Sequence, residues 1–136
     1  MSSNIILNSI TINGQAFEGG DEGIYVEFTP DNDKYNLYVG QNGVGAYVKN
    51  QASGKGAGTI NSFRNSTGYR LLKNLYQSGV TSQITFSVKF EDGNIENINL
   101  IDCKIVKADK YSQGSTGEKE NVVTNYRFLV RDHKII

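Results

Sequence analysis

The sequence YVGQNGVGAYVKNQASGKGAGTINSF spans residues 38–63 and constrains the architecture more than any other segment of the chain. Strand-forming residues such as Val44, Tyr47 and Val48 stand among its glycines, so the segment is not a featureless linker. It has too few bulky apolar residues for a core and too few charges for an acid–base site. We therefore predict an extended arm over residues 38–60 that orders against another surface and serves assembly.

The size and composition predict a single domain over residues 1–136. A chain of 136 residues can bury a core without disulfides or metal. Fourteen basic and fourteen acidic residues give zero net charge, which argues against charge-driven nucleic-acid binding and favours association. The single cysteine, Cys103, lies in an apolar run and is predicted to be a buried structural thiol. We expect no secretory signal and no membrane span, and therefore synthesis in a cytoplasm.

Alternating apolar residues predict strands on both sides of the arm. The expected strands cover residues 4–12, 24–28, 34–39, 44–50, 58–63, 84–90, 95–105 and 122–130. Asn13-Gly14 is a strong hairpin-turn signal. Residues 111–121 are rich in Ser, Gln, Gly, Thr and mixed charges, and they predict an exposed loop.

The period of the apolar residues changes to that of a helix over residues 66–78. Leu71, Leu72 and Leu75 form its apolar face together with two tyrosines. Ser66 is suited to cap the start, and Gly79 to take the left-handed conformation at the end. The predicted fold is mainly β, a β-sandwich or small barrel with one flanking helix and a long extended inter-strand loop.

Catalytic chemistry finds no support in the sequence. The only histidine, His133, is three residues from the end, where we expect a frayed terminus. One histidine and one cysteine cannot form a zinc site. The acidic run at residues 31–33 lacks the glycine and glutamate of a calcium loop. Residues 54–58 lack the Gly-Lys-Ser/Thr of a phosphate loop. We predict no enzyme, no cofactor and no metal.

Acidic and basic residues are unevenly distributed along the chain. Six acidic residues and no basic residue precede Lys34, whereas seven basic and five acidic residues follow Leu100. Unlike charges of this kind could pair between neighbouring copies in a head-to-tail ring. Complementarity within one chain, or simple solvation, explains the same distribution equally well, so both readings stay open.

The order of these parts resembles the tail tube proteins of contractile-tailed phages and related phage-tail-like particles. The likeness runs from about Ile10 to Val130. It rests on Ile10-Thr11-Ile12-Asn13-Gly14, Ile24-Tyr25-Val26-Glu27-Phe28, Tyr38-Val39-Gly40-Gln41-Asn42-Gly43, Gly58-Thr59-Ile60 and the leucines of the helix. The long loop over residues 111–121 departs from the pattern.

The resemblance implies a structural protein whose copies form hexameric rings with sheets joined edge to edge around a channel. Stacked rings would make the inner tail tube, a conduit for the genome or another payload into a bacterial cell. Expected partners are further copies of the chain, sheath, tape measure and baseplate proteins, and DNA in transient non-specific passage. The expected location is a virion tail assembled in the host cytoplasm. A baseplate tube initiator or a secretion-system tube protein fits the same pattern.

The resemblance also implies roles for particular residues. Arm anchors would be Val44, Tyr47 and Val48, with Lys49 and Lys55 as a polar rim. Few basic side chains should face a lumen through which DNA slides, and Glu27, Thr59 and Asn61 suit that wall. The outward side of the helix, which a sheath could contact, carries Arg70, Lys73, Asn74 and Gln77.

A carbohydrate-binding β-sandwich is the outside alternative. Such a module would use aromatic side chains on an exposed face, and the candidates are Tyr25, Tyr35, Tyr38, Tyr47 and Tyr111. The absence of tryptophan and of an expected secretory signal counts against it.

Overall fold

The computed structural model describes residues 6–17, 25–64, 66–111, 115 and 123–136. Within these ranges the chain forms ten strands and one helix, which confirms the mainly β fold with one flanking helix. The strands are β1 (Ile6–Ile12), β2 (Gln15–Ala16), β3 (Tyr25–Pro30), β4 (Tyr35–Val39), β5 (Gly45–Lys49), β6 (Gly56–Phe63), β7 (Ser82–Lys89), β8 (Ile95–Tyr111), β9 (Val123–Val130) and β10 (Asp132–Ile135). The helix α1 spans Thr67–Ser78.

Two antiparallel sheets share strand β8. The first sheet contains β2, β1, β7, the first half of β8 (residues 95–103) and β10. The second sheet contains β3, β6, β9 and the second half of β8 (residues 104–111). Strands β4 and β5 pair only with each other, and we call this unit the arm hairpin.

Strand β8 has 17 residues and turns the corner between the sheets at Asp102. Asp102 has a φ of 52°, which interrupts the regular extended conformation. Its carboxylate accepts a hydrogen bond from Arg131 Nε, which lies where β9 gives way to β10. The pairing with β7 ends at Cys103 and that with β9 begins at Lys104. The sequence predicted this strand only as far as Ile105.

Among the described residues, one buried cluster joins the two sheets and the helix. The first sheet contributes Ile10, Ile12, Ile84 and Leu100; the second sheet and the helix contribute Ile60, Ile105, Tyr126, Phe128, Leu72 and Leu75. Tyr69 and Tyr76 of the helix place their rings 6.3 and 5.8 Å from the ring of Tyr126. Because each large apolar side chain contributes about 1.5–3 kcal/mol when buried, this cluster is the main stabilising feature.

The helix begins and ends as the sequence predicts. Ser66 Oγ accepts a hydrogen bond from the Tyr69 N–H at 3.1 Å, which satisfies one free donor of the first turn. Gly79 has a φ of 70° and donates its N–H to the Leu75 carbonyl at 3.0 Å. Leu72 and Leu75 face the core between these two caps.

The C-terminus is an ordered strand, so the expectation of a frayed end at His133 is wrong. After Arg131 the chain continues antiparallel to β8, with His133 opposite Leu100. The His133 ring lies 4.9 Å from the ring of Phe28, and its Nδ1 is 2.8 Å from the Gly54 carbonyl oxygen. Backbone pairing and ring packing therefore fix the end of the chain. The predicted loop over residues 111–121 falls outside the described residues, apart from Tyr111 at the end of β8 and Ser115.

Candidate functional site

The arm hairpin stands apart from both sheets. Its turn is closed by a hydrogen bond from Gly40 N–H to the Val44 carbonyl at 2.9 Å, and Asn42 Oδ1 accepts from the Val44 N–H at 3.1 Å. Gly43 supplies the positive φ of 80° that this turn requires. The arm expected over residues 38–60 is thus in two parts, because residues 56–60 belong to β6 in the second sheet.

Both faces of the arm hairpin are apolar. The register places Leu37 opposite Tyr47 on one face, and Tyr38 opposite Ala46 on the other, beside Val48. Tyr47 is 76% exposed and Tyr38 is 60% exposed. A lone two-stranded hairpin is marginally stable in water, and contiguous exposed apolar surface marks an interaction site. The hairpin therefore offers a candidate interaction surface on each of its two faces.

Four of the five predicted arm residues lie on this hairpin. Val44 is in the turn, and Tyr47, Val48 and Lys49 are exposed on β5. Lys55 is separate from them. It precedes β6 and lines an open cleft of about 650 Å³ at the end of the second sheet.

The three predicted lumen residues share the outer face of the second sheet. Glu27 lies opposite Thr59, and Asn61 follows two residues later on the same face. The opposite face of β6 is buried through Ile60 and Ser62. Glu27 is exposed, whereas Thr59 and Asn61 are half-buried.

Basic side chains that the sequence reasoning missed occupy the same outer face. Arg127 lies opposite Thr59, and Lys107 lies opposite Arg127. Lys104, opposite Leu129, is a third exposed basic residue there. The alternation of Arg127 with the buried residues Tyr126 and Phe128 was the sequence signal that could have predicted a basic side chain on this outer face. This face is more basic than the wall that we expect for a DNA channel.

The second sheet has two open edges within the part of the chain that the structure describes. Strand β3 pairs with β6 on one side only. The second half of β8 pairs with β9 on one side, while β7 reaches no further than Cys103 on the other. Rows of unpaired N–H and C=O groups at such edges are templates for another strand. The arm hairpin, the outer face and these two edges together form the candidate assembly surfaces.

Sequence comparisons identify no relative: no protein-family model matches the chain, and no curated protein matches it. Solved structures do match. A chain of the anti-feeding prophage cap, a tube-terminating cap, superposes with a TM-score of 0.61 and 13% identity, covering 94% of this chain and 86% of that one. The chain has the tail-tube fold. At this identity the likeness shows the fold alone.

Two further matches support the tail-tube fold. A chain of the sheath–tube complex of an extracellular contractile injection system (PVC) in the extended state gives a TM-score of 0.62 at 12% identity, covering 94% and 86% of the two chains. Hcp1 from Flavobacterium johnsoniae gives 0.53 at 11% identity, covering 96% and 94%. The resemblance drawn from the sequence is therefore confirmed at the level of the fold.

The four residues predicted to face a sheath lie on the exposed side of α1. Arg70, Lys73, Asn74 and Gln77 are all exposed. Leu72 and Leu75, on the opposite side, are buried in the core. In this tail-tube fold the helix therefore presents a polar, partly basic surface to whatever lies outside it.

The cleft beside β10 holds a serine, a histidine and an aspartate without the bonds of a catalytic triad. Ser53, Asp132 and His133 line an open space of about 600 Å³. His133 Nδ1 lies against the Gly54 carbonyl, and Asp132 Oδ1 accepts from the His133 backbone N–H at 2.9 Å. The carboxylate–imidazole bond that orients a catalytic histidine is thus not made. In the described ranges no cluster of three acidic, His or Cys side chains could hold a metal ion. No helix there is long and apolar enough to span a membrane.

Cys103 is fully buried, and burial raises its pKa to about 12. Because the thiolate is the reactive form, we expect no measurable alkylation by iodoacetamide at pH 8 in the folded protein and rapid alkylation in denaturant. A thiol titration with and without urea measures this. Between pH 9 and 12 the unfolded thiol ionises more readily than the folded one, so stability falls as pH rises through that window. Fast labelling of the folded chain at pH 8 would contradict the expected burial.

Proposed function

We propose that the chain is a non-enzymatic structural protein that assembles into hexameric rings stacked as the inner tail tube of a contractile particle. The observation that carries the proposal is the second sheet, with an open edge on each side and a polar outer face. Strand β3 and the second half of β8 run antiparallel to each other, because three antiparallel pairings separate them. A rotation about an axis along the strands therefore brings β3 of one copy antiparallel to β8 of the next.

When the β3 edge of each copy pairs with the β8 edge of the next, the sheets close into one barrel and no open edge remains. The sheet supplies four strands per copy, so a ring of six would close roughly 24 strands into one barrel, and barrels of 16–18 strands already enclose an aqueous channel. Its polar outer face, with Glu27, Thr59 and Asn61, would line the channel, and its apolar face stays in each copy's core. The number six comes from the resemblance to tail tubes.

The arm hairpin supplies the contacts between rings in this proposal. Its two apolar faces would be covered by a neighbouring copy and by a copy of the next ring, with Val44, Tyr47 and Val48 as anchors. Lys49 and Lys55 would lie at the rim. The exposed side of α1 would face a sheath protein, while tape measure and baseplate proteins would meet the ends or lumen of the tube. The resulting conduit would deliver a genome or another payload into a bacterial cell from a tail assembled in the host cytoplasm.

A tube initiator or terminator is the second candidate. The matched anti-feeding prophage chain is described as a tube-terminating cap, so the same fold serves at the end of a tube in that particle. A secretion-system tube protein also fits, since Hcp1 matches. The carbohydrate-binding alternative is less well supported, because Tyr38 lies on the opposite face of the arm hairpin from Tyr35 and Tyr47 and the three do not make one platform.

Negative-stain electron microscopy of the purified chain across a concentration series tests the proposal. We expect rings at low concentration and long hollow tubes with a regular stacking repeat at high concentration. Rings that never stack would favour the initiator or terminator. A stable monomer at the highest concentration would contradict self-assembly and favour a binding module.

A further inference from the structure

Two carboxylates follow the open edge strand β3. Asp31 and Asp33 lie in the turn between β3 and β4, and both are exposed. The turn is held in place because the Asp31 N–H donates to the Lys55 carbonyl at 2.9 Å. Among the described residues neither carboxylate is within ion-pair distance of a basic group. Lys34 follows them, but its ammonium lies over the Tyr35 ring, 5.7 Å from its centre.

A basic cleft lies across the end of the same sheet, from Lys55 before β6 to Lys104 at the opposite open edge. The 650 Å³ space is lined by Lys55, Lys104 and Arg131 and by one acidic residue, Asp102. Arg131 already pairs with Asp102. Lys104 forms no ion pair within the described part of the chain. Its Cε lies 4.0 Å from where a Cβ on Gly79 would be, so the side chain extends to the side of β8 that β9 does not occupy.

The register places the acidic turn and the basic cleft at the same end of the second sheet. Pro30 is opposite Gly56, which is opposite Val130 on its other side. Leu129, the residue before Val130, is opposite Lys104. Lys104 is therefore level with Thr29, and Asp31 lies two residues further along, at the same end of the sheet. They lie too far apart within one chain to meet, with β6 and β9 between them, but they would be neighbours across a joint between copies.

We propose that Asp31 and Asp33 of one copy bind in the basic cleft at Lys104 of the next copy and so determine which sheet edges pair. This rests on the proposed edge-to-edge ring. Joining β3 to β8 places both charge groups at the same end of the joint and brings unlike charges together. An antiparallel joint of β3 to β3, or of β8 to β8, would place the two like groups at opposite ends and make no such contact. The two charge groups therefore favour a closed head-to-tail ring over a face-to-face dimer.

Charge reversal on each side tests the contact. Lys104→Glu should place carboxylates opposite carboxylates at every joint. The double variant Asp31→Lys, Asp33→Lys should place lysines opposite lysines. For each variant alone we expect the concentration for half-maximal ring formation in 50 mM NaCl to rise roughly tenfold or more. Sedimentation velocity measures ring formation. Since exposed charges are screened at high salt, the defect of both variants should shrink in 1 M NaCl, where the Debye length is about 3 Å.

An equimolar mixture of the two variants is the decisive sample. In a ring where the variants alternate, every joint again brings a carboxylate to a lysine, so rings should form at close to the unaltered concentration. Recovery on mixing also requires that both variants are folded, and circular dichroism of each alone checks this independently. Lys104→Gln removes the charge without reversing it and should give an intermediate loss.

Matched reversals elsewhere serve as controls. Asp92→Lys in the turn between β7 and β8 and Lys73→Glu on the exposed side of α1 change the same charges on other surfaces and should leave ring formation unchanged. Rings from the unaltered chain, with edge variants that assemble equally well or do not recover on mixing, would overturn this contact and leave the proposed function standing. Absence of rings from the unaltered chain under all conditions would overturn both.

Discussion

Replacement of Tyr47 by aspartate is expected to give a folded monomer that forms no tubes. Tyr47 is 76% exposed, so the monomer should lose no more than about 0.5 kcal/mol. Loss of an aromatic anchor at an interface typically costs roughly 2–4 kcal/mol, and a buried carboxylate adds to that. The affinity between copies should therefore fall at least about 30-fold. Electron microscopy and thermal unfolding of the same sample separate assembly from stability.

Val48→Asp extends the prediction to the other face of the arm hairpin. Residues 47 and 48 lie on opposite faces of the hairpin. If both faces are covered in the assembly, the Val48→Asp variant should also fail to form tubes. Gln83→Asp places the same charge on an exposed strand position of the first sheet and should assemble normally. Long tubes from the Tyr47 variant would refute the proposed arm contact. Tubes from the Val48 variant alone would limit that contact to one face.

Gly58→Ala is expected to have the largest effect on stability. A Cβ at this position would lie 2.2 Å from the Glu27 carbonyl oxygen and 2.6 Å from Phe128 Cζ. The carbonyl belongs to the β3 backbone and cannot rotate away, so β3 or the core must shift. We expect a loss of at least about 3 kcal/mol in the free energy of unfolding, or ~10 °C in Tm.

Gly40→Ala is the matched control for that substitution. Its Cβ would lie 3.2 Å from Asn42 Oδ1 and at an ordinary contact distance of 3.7 Å from the Val44 carbonyl oxygen, and the backbone there does not have a positive φ. A change below about 1 kcal/mol is expected. Urea denaturation followed by circular dichroism measures both variants. Equal stability of the two would show that β3 tolerates displacement from β6, contrary to the tight packing described above.

Local signals were sufficient for the helix. Ser66, the leucine spacing and Gly79 act within a few residues of each other, so they could be read without knowledge of the fold. For the arm, the sequence predicted the extended segments 34–39 and 44–50, but it did not reveal that residues 56–60 pair in the second sheet instead. Strand β10 was missed because its pairing with Leu100 depends on the corner at Asp102 and Arg131. The residues next to these two in the sequence give no sign that they contact each other.

Which residues share a candidate surface depends on the order of the strands in the sheet, and the sequence alone does not reveal that order. Alternation grouped Thr59 with Asn61 on one face of β6. Arg127 and Lys107 joined them only because β9 lies between β6 and β8, an order unlike that along the chain. The uneven charge distribution was visible in the sequence. Whether the acidic N-terminal part and the more basic C-terminal part face each other within one chain depends on the strand order in the sheet. The structure separates Asp31 and Lys104 to opposite edges.

Strand β8 has a mechanical consequence for any particle that contains this fold. One continuous backbone segment belongs to both sheets, so a load applied to one layer is transmitted to the other through covalent bonds rather than through side-chain packing alone. Sliding of one layer past the other would have to break two hydrogen-bonded ladders together, one with β7 and one with β9. A wall built from such units would resist shear within each copy and would yield first where copies meet.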